Sequence, residues 1–362
     1  MQKKVLVFTS IGLLTILLGG IALGANTFFS SETTWEVHET PEEAGWSSEK
    51  LRQARRYYDS LHSTAAMAVY NGKVLFAWGD VTKNTNAHSI RKSFLNSLYG
   101  IHVEEDHIQL EDTLEKLGIY DFPDLTYEEK QAKVKHLLSS QSGVFHKAGE
   151  ESWTMRRNRP LPGTHPPGSY FYYNNWDFNV LGTVFNQETE KDLFEEFKKQ
   201  IANPIGMEDF SLDHTQYKYE VRRSIHPSYL FQVSARDMAR FGQLFLQNGE
   251  WDGEQIIPES WIEESLKVHA DVPGNNVYDY GYLWWVATSG PFSDLGMYSA
   301  VGRYGQSIDI IPELNLVFVH RVDSTSSTLG LRRSVAQAQR LRLLEMVIDA
   351  IVDDHEKTPQ NF

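Results

Sequence analysis

The order of strand and helix patterns along the chain constrains its fold more than any other feature. An early hairpin is predicted where residues 66–70 and 73–78, both apolar, flank Asn71-Gly72, a dipeptide that tolerates the positive φ angles of a tight turn. Strand patterns return only near the other end, at residues 280–286, 307–311 and 316–322. We therefore expect strands from both ends of the chain to meet in one sheet.

Helical patterns surround and separate these strands. They cover residues 47–61, 89–101, 128–138, 176–185, 191–201, 235–246 and 331–352, and a proline-rich loop covers residues 160–167. The predicted fold class is α+β: an antiparallel sheet from both chain ends, flanked by the terminal helices, with a large, mainly helical lobe inserted over about residues 100–250. A functional site is expected in the cleft between the sheet and this lobe.

The first 25 residues differ in character from the rest. Lys3 and Lys4 precede an apolar run over residues 5–25, an arrangement typical of a signal peptide. The run is also long enough for a membrane-spanning helix, which needs about 20 residues. Small residues near its end can form a cleavage site, and these are Ala22, Gly24 and Ala25. A cleaved signal peptide and an uncleaved membrane anchor both remain open for residues 1–25.

Both interpretations predict that the rest of the chain is exported to the periplasm or another extracytoplasmic compartment. A membrane partner is expected only if the N-terminal segment remains attached. Residues 26–40 are polar and predict a tether, and the folded domain is expected over residues 41–355. The sequence leaves the oligomeric state open.

Composition excludes several classes of protein. The chain has 34 Lys and Arg against 48 Asp and Glu, a net charge of −14, so its surface repels phosphate backbones and nucleic acid is not an expected partner. It has no cysteine, which excludes disulfides, thiolate metal sites and cysteine nucleophiles. Its 41% hydrophobic and 23% charged residues are ordinary for a globular protein and exclude disordered, collagen-like and coiled-coil chains.

Ser89 and Lys92 lie three residues apart, and on a helix their side chains share a face. A lysine can remove the proton of a serine if burial or nearby positive charge lowers the lysine pKa. Ser89 would also lie at a helix N-terminus, where its backbone N–H can contribute to an oxyanion hole. The alternative is a capping serine followed by a solvated lysine, which fully explains a second match, Ser47 with Lys50.

An aromatic-rich segment over residues 167–175 leads into the helix predicted at 176–185 and contains Tyr173. A tyrosine at the mouth of a cleft can transfer protons if a nearby ammonium group stabilises its phenolate. The alternative is that these aromatic residues belong to the core.

Together these residues resemble the serine beta-lactamase and penicillin-binding-protein superfamily, and most of all its class C-like branch of serine hydrolases, esterases and 6-aminohexanoate-dimer hydrolase. The resemblance runs from about residue 35 to residue 352. The segments that carry it follow the family's order, at residues 89–93 (nucleophile motif), 136–144, 173–175 (Tyr-x-Asn), 204–207 and 302–312 with 316–319 (paired strands).

The resemblance implies a role for each site residue. Ser89 attacks an acyl carbonyl and becomes acylated, while Lys92 and Tyr173 pass the proton to the leaving group and later activate water. Asn175 orients the substrate or Lys92. The second oxyanion N–H comes from the strand near Gly302 and Arg303. Aromatic side chains that are expected to line the cleft are Trp153, Tyr170, Tyr172, Trp284, Trp285 and Tyr304.

The chain departs from the family at one motif. Beta-lactamases and DD-peptidases of the family carry Lys-Thr-Gly or His-Thr-Gly on that strand, and here Ala300-Val301-Gly302 takes its place. The missing cation normally holds a substrate carboxylate. We therefore expect an esterase or amidase that acts on a small acyl substrate. The alternatives are a DD-peptidase or beta-lactamase, and a non-catalytic envelope binding or sensor protein with the same fold.

No cofactor or catalytic metal is expected. The chain has neither the Gly-x-Ser-x-Gly elbow of α/β-hydrolases nor the His-Glu-x-x-His motif of zinc hydrolases. His102 and His107 bracket three acidic residues, and this segment is expected to form a solvated loop rather than a metal site.

Overall fold

A computed structural model of the chain describes residues 35–325, 327–328 and 331–352. The α-helices are α1 (Ser48–Ser60), α2 (Arg91–Glu104), α3 (Val134–Leu138), α4 (Trp153–Asn158), α5 (Asn175–Thr189), α6 (Leu193–Phe197), α7 (Ala235–Leu246), α8 (Glu259–Leu266), α9 (Pro291–Asp294) and α10 (Gln337–Ile348). The strands are β1 (Ala65–Tyr70), β2 (Lys73–Gly79), β3 (Thr85–Asn86), β4 (Thr215–Lys218), β5 (Ser228–Val233), β6 (Glu250–Trp251), β7 (Glu254–Gln255), β8 (Tyr278–Tyr280), β9 (Trp285–Ala287), β10 (Tyr298–Gly302), β11 (Gln306–Ile311), β12 (Leu316–Arg321), β13 (Ser327–Thr328) and β14 (Leu331–Arg332).

The predicted sheet from both chain ends is confirmed. Seven of the described strands form one antiparallel sheet in the order β2-β1-β12-β11-β10-β9-β8. The early hairpin pairs with the late strand β12, from Ala65 opposite Arg321 to Tyr70 opposite Leu316. The hairpin turns at Asn71 and Gly72, whose φ angles of 50° and 77° are those that the dipeptide was expected to supply.

The terminal helices α1 and α10 pack together on one face of this sheet, as predicted. Their apolar side chains form a buried cluster with Phe76 of β2 and Phe318 of β12. A buried ion pair adds to this attachment, because Arg340 Nη1 of α10 lies 2.5 Å from both carboxylate oxygens of Asp309 on β11. Helix α7 covers the other face, with Gly242 close against Val317 of β12, and the helical lobe continues from there.

Several predicted elements differ from those observed. The predicted strand at 280–286 is divided into β8 and β9, because Gly281 N–H donates to Trp284 O at 2.9 Å in an intervening turn. The predicted helix at 128–138 is interrupted at Ala132, whose carbonyl accepts from Leu114 N–H and so pairs with another segment. The predicted helix at 331–352 begins only at Gln337, because Leu331 and Arg332 pair with β13 instead.

The N-terminal segment 1–25 and the first part of the predicted tether lie outside the described residues. Within the rest of that tether, Val37 forms a parallel bridge to Val74 of β2, and the ring of Trp35 lies 6.4 Å from that of Trp251. Residues 35–38 therefore pack on the domain. Among the helices that the structure describes, none is both long and apolar enough to cross a membrane.

Candidate active site

Ser89 and Lys92 lie where the chain enters α2. Ser89 is in a 3₁₀ turn, His88–Ile90, and Lys92 is in the first turn of the α-helix that follows. The turn starts with His88 in a left-handed conformation (φ 51°), with its N–H donating to Asn86 Oδ1 at 2.8 Å. α2 is capped at Ile90, without a side-chain hydrogen bond. Ser89 is therefore not the capping residue of the alternative interpretation, whereas Ser47 does cap α1 by accepting from Lys50 N–H.

Lys92 brings the three predicted catalytic side chains together. Its Nζ lies 2.8 Å from Ser89 Oγ and 2.8 Å from Tyr173 OH. The lysine side chain is 2% exposed, and its Nζ also lies 4.4 Å from the centre of the Phe178 ring. The solvated lysine of the alternative interpretation is thus excluded by its burial.

Burial sets the charge state of this pair. It lowers the pKa of Lys92 well below the ordinary lysine value, and the neighbouring charge of Arg91 lowers it further. Burial raises the pKa of Tyr173 above the ordinary tyrosine value. Both shifts favour a neutral amine beside a neutral phenol, rather than the ammonium and phenolate considered from the sequence. A neutral Lys92 has a lone pair that can accept a proton from Ser89.

Tyr173 is held in place through its backbone neighbours. Asn174 caps α5 by accepting from Trp176 N–H at 3.0 Å, and its Nδ2 donates to Val144 O at 2.7 Å. Ser140 Oγ accepts from Asn174 N–H and donates to Tyr172 O. The segment around residues 136–144, which carried part of the family resemblance, therefore positions the tyrosine and takes no part in the site itself.

Asn175 lies at the start of α5 in the wall of the same cavity. It is buried, its Nδ2 donates to Gly149 O at 3.2 Å, and its Oδ1 has no hydrogen-bond partner among the described residues. Of its two expected roles, contact with Lys92 is not observed. The amide oxygen is available to accept from a substrate N–H.

Strand β10 forms the opposite wall, where Val301, Gly302 and Arg303 line the cavity together with Ser89. A Cβ atom at Gly302 would lie 2.7 Å from Ala87 O, so glycine lets the strand pass directly against the turn that carries Ser89.

Tyr304 does not line the cavity, and its ring instead contacts the His88 ring at 5.1 Å. Ala300, where the family places its cation, is buried in the sheet.

The cavity has a volume of about 470 Å³. Of the aromatic side chains expected to line it, Tyr170, Tyr172 and Trp285 do so. The other three do not: Trp284 is buried in the core, Trp153 is exposed on α4, and Tyr304 packs on His88. Apolar and aromatic side chains share the wall with polar and charged ones, among them Asn86, Glu150, Asn158 and Arg303, a combination that suits a small molecule with polar groups.

Arg91 is a cavity residue that sequence reasoning missed. Its side chain is 3% exposed, its Nη2 donates to Asn179 Oδ1 at 3.0 Å, and its guanidinium lies 4.1 Å from the centre of the Tyr229 ring. Its Nη1 has no hydrogen-bond partner among the described residues. Its position inside the Ser89–Lys92 motif, directly before Lys92, is the signal that could have identified it.

Solved structures with the same fold include a Bacillus anthracis protein named as a 6-aminohexanoate-dimer hydrolase (24% identity, TM-score 0.61, covering 84% of this chain and 83% of that one). An octameric penicillin-binding-protein homologue from Pyrococcus abyssi is 18% identical (TM-score 0.62, 84% and 78% covered). EstCE1, a hydrolase with promiscuous acyltransferase activity, is 16% identical (TM-score 0.57, 84% and 98% covered).

These likenesses establish the fold, that of the beta-lactamases and penicillin-binding proteins. The family model for Beta-lactamase matches residues 51–339, which include the turn of Ser89, the start of α5 and strand β10. The chain therefore belongs to the Beta-lactamase family, as the sequence motifs indicated.

Proposed function

We propose that this protein is a serine hydrolase that forms an acyl-enzyme on Ser89 and cleaves a small ester or amide. One observation carries the proposal: Lys92 Nζ lies 2.8 Å from both Ser89 Oγ and Tyr173 OH, inside a cavity that is open to a small molecule. Nucleophile, base and a third proton-transfer group within hydrogen-bond distance are the requirements of covalent acyl transfer.

In the first half-reaction, Ser89 Oγ attacks the substrate carbonyl carbon while its proton passes to neutral Lys92. The tetrahedral oxyanion is stabilised by the backbone N–H of Ser89 and by a second backbone N–H from the strand near Gly302. When the intermediate collapses, the bond to the leaving group breaks. The proton returns through Lys92 and Tyr173 to the departing oxygen or nitrogen, which leaves an ester on Ser89.

In the second half-reaction, water takes the place of the leaving group. Neutral Lys92 accepts a proton from this water, directly or relayed through the Tyr173 hydroxyl, as the water attacks the ester carbonyl, and Lys92 returns that proton to Ser89 Oγ when the acid leaves. Lys92 is suited to both steps because burial keeps its amine neutral, so that it can accept a proton before it donates one.

We infer the preference for small esters or amides from the side chains at and opposite strand β10. A lysine or histidine at the position of Ala300 would hold a substrate carboxylate, and the buried alanine has no charge to do so. The Arg303 guanidinium of the same wall packs over the Tyr304 ring, 4.9 Å from its centre. Asn175 Oδ1 is free to accept a hydrogen bond from an amide N–H, which favours acyl groups that carry one. The relatives named for 6-aminohexanoate-dimer and acyl-transfer chemistry are consistent with such substrates.

The test is intact-protein mass spectrometry after incubation with a fluorophosphonate and, separately, with a penicillin. Wild type, Ser89→Ala and Ser47→Ala are compared, since Ser47 belongs to the second Ser-x-x-Lys match but caps a helix. We expect a fluorophosphonate adduct on wild type and Ser47→Ala, and none on Ser89→Ala.

A penicillin adduct on the same serine would favour the DD-peptidase or beta-lactamase alternative over an esterase. A folded wild-type protein that forms no adduct with either reagent would contradict the proposed hydrolase and favour a binding protein. An adduct that persists in Ser89→Ala would contradict the assignment of the nucleophile.

A further inference from the structure

The C-terminal end of α2 brings together three side chains that the proposed reaction does not use. His102 Nδ1 and His107 Nδ1 lie 3.1 Å apart, and Glu105 Oε2 lies 3.0 Å from the first and 3.1 Å from the second. The sequence predicted a solvated loop here. Instead His102 is fully buried, while Glu105 and His107 are roughly half exposed beside it.

The backbone imposes this arrangement. Asp106 adopts a left-handed conformation (φ 59°) just after α2 ends, and the chain reverses there. The N–H groups of His107 and Ile108 then both donate to His102 O, at 2.9 and 3.1 Å. Because Ile108 is buried, the turn is anchored, and the ring of His107 is brought against that of His102 without depending on contacts among the three side chains.

The three atoms have the spacing of ligands on one face of a metal coordination shell. Zn²⁺ binds histidine nitrogens at about 2.0–2.1 Å and carboxylate oxygens at about 2.0–2.2 Å. Two such ligands that subtend an angle between a right angle and a tetrahedral angle are about 2.8–3.5 Å apart. The observed separations of 3.0 and 3.1 Å fall in this range.

Hydrogen bonding alone leaves His102 one proton short. A neutral imidazole has a single ring N–H, yet His102 has a carboxylate oxygen beside each of its nitrogens: Glu105 Oε2 at 3.0 Å from Nδ1 and Glu196 Oε1 at 3.3 Å from Nε2. A cation at Nδ1 would place the N–H on Nε2, which faces Glu196 but has no hydrogen-bond partner among the described residues. A histidine whose second nitrogen faces a carboxylate is common at metal sites. Glu196 is itself buried and accepts from Gln200 Nε2 at 2.9 Å.

We propose that His102, Glu105 and His107 bind one divalent transition-metal ion of the Zn²⁺ class. The negative end of the α2 dipole favours a cation at this position, and the exposed side of the site leaves room for water ligands. Ten residues of helix separate His102 from Lys92, about 15 Å along the axis. The ion is therefore structural: it ties the turn after α2 to the helix whose other end carries Ser89.

The experiment titrates the purified full chain, prepared without a histidine tag, with Co²⁺ and Zn²⁺. We expect one ion per chain, with a Co²⁺ d–d absorption band that Zn²⁺ displaces. His107→Ala and Glu105→Gln should each abolish the band, and Glu196→Gln should weaken binding by about 10–100-fold. The control is His62→Ala, which removes an exposed histidine just after α1 and should bind the ion as the wild type does.

A chain that binds neither ion would overturn the proposal, and so would binding that is unchanged in His107→Ala and Glu105→Gln. Fluorophosphonate labelling of Ser89 is run on the same samples and should not depend on the metal. Failure of the labelling with normal metal binding would count against the hydrolase alone, and the reverse result would count against the metal site alone.

Discussion

Arg91 places a positive charge next to Lys92 within the Ser89–Lys92 motif. Its guanidinium is buried beside Lys92 and packs on the Tyr229 ring, with one side-chain amide oxygen as its hydrogen-bond acceptor. A buried positive charge next to an amine disfavours the ammonium form. Arg91 therefore acts in the same direction as burial, and both favour the neutral Lys92 that the proposed mechanism requires.

Replacing Arg91 with methionine should shift the pH dependence of hydrolysis. Without the neighbouring charge the pKa of Lys92 rises, so Lys92 becomes protonated at a higher pH, and the acidic limb of kcat/KM moves to higher pH. The measurement is the pH profile of kcat/KM for a neutral chromogenic ester. Arg91→Lys retains the charge and should keep the limb near that of wild type. If Arg91→Met leaves the limb in place, another group controls it.

Among site residues, the sequence identified those whose chemistry is visible in a motif. Ser89, Lys92, Tyr173 and Asn175 are polar groups at recognisable spacings, and the cavity contains all four. Arg91 was missed because burial, which decides its effect, is a tertiary property. Tyr304 was expected to line the cleft as an aromatic residue, but its φ of 72° takes the chain out of the strand, and its ring packs on His88.

At the scale of elements, α10 is attached to the sheet by a buried charge as well as by apolar packing. Asp309 on β11 accepts from Arg340 Nη1 at 2.5 Å. It also accepts from the hydroxyls of Ser299 and Ser307, both at 2.7 Å. Neither charged side chain is more than 1% exposed. Burial lowers the pKa of Arg340, but the charge and hydrogen bonds of Asp309 outweigh it and raise that pKa overall, so the guanidinium stays charged.

Arg340→Met should destabilise the protein by about 3–5 kcal/mol, because it leaves the Asp309 carboxylate buried without its counter-ion. The control is Arg342→Met on the same helix. Arg342 pairs with Glu345 at the surface, where a salt bridge contributes about 0–1 kcal/mol. Urea unfolding followed by tryptophan fluorescence compares the two. Equal midpoints would mean that the buried pair does not anchor α10.

Helices were predicted correctly where their apolar period is not interrupted by residues that pair with a strand. α7 spans Ala235–Leu246, as expected, because Ser234 caps it by accepting from Asp237 N–H and its apolar period continues to its last residues. The helix predicted from residue 331 failed at its start, where Leu331 pairs with Thr328 across a hairpin. An apolar helical period cannot reveal that a strand partner is available. Tertiary pairing therefore explains why the last helix begins later than predicted.

At the scale of the whole molecule, the site is assembled from three distant parts of the chain. Ser89 follows the first hairpin, Tyr173 comes from the helical lobe, and Gly302 is on a late strand. Strand β12 pairs with β1 on one side and with β11 on the other, so the sheet is complete only when both ends of the chain contribute their strands. This topology places strand β10 directly against the early turn, where a Cβ atom at Gly302 would lie only 2.7 Å from Ala87 O.

The N-terminal segment predicts where the protein is located in the cell. We propose that residues 1–25 direct export, because Lys3 and Lys4 precede an apolar run that is long enough to span a bilayer. Expression in a bacterial host followed by cell fractionation tests this. We expect the domain outside the cytoplasm, either shortened by about 25 residues according to its intact mass or full length and extracted from membranes only by detergent. A chain that begins at residue 26 should stay in the cytoplasm, and a full-length wild-type chain found there too would contradict export.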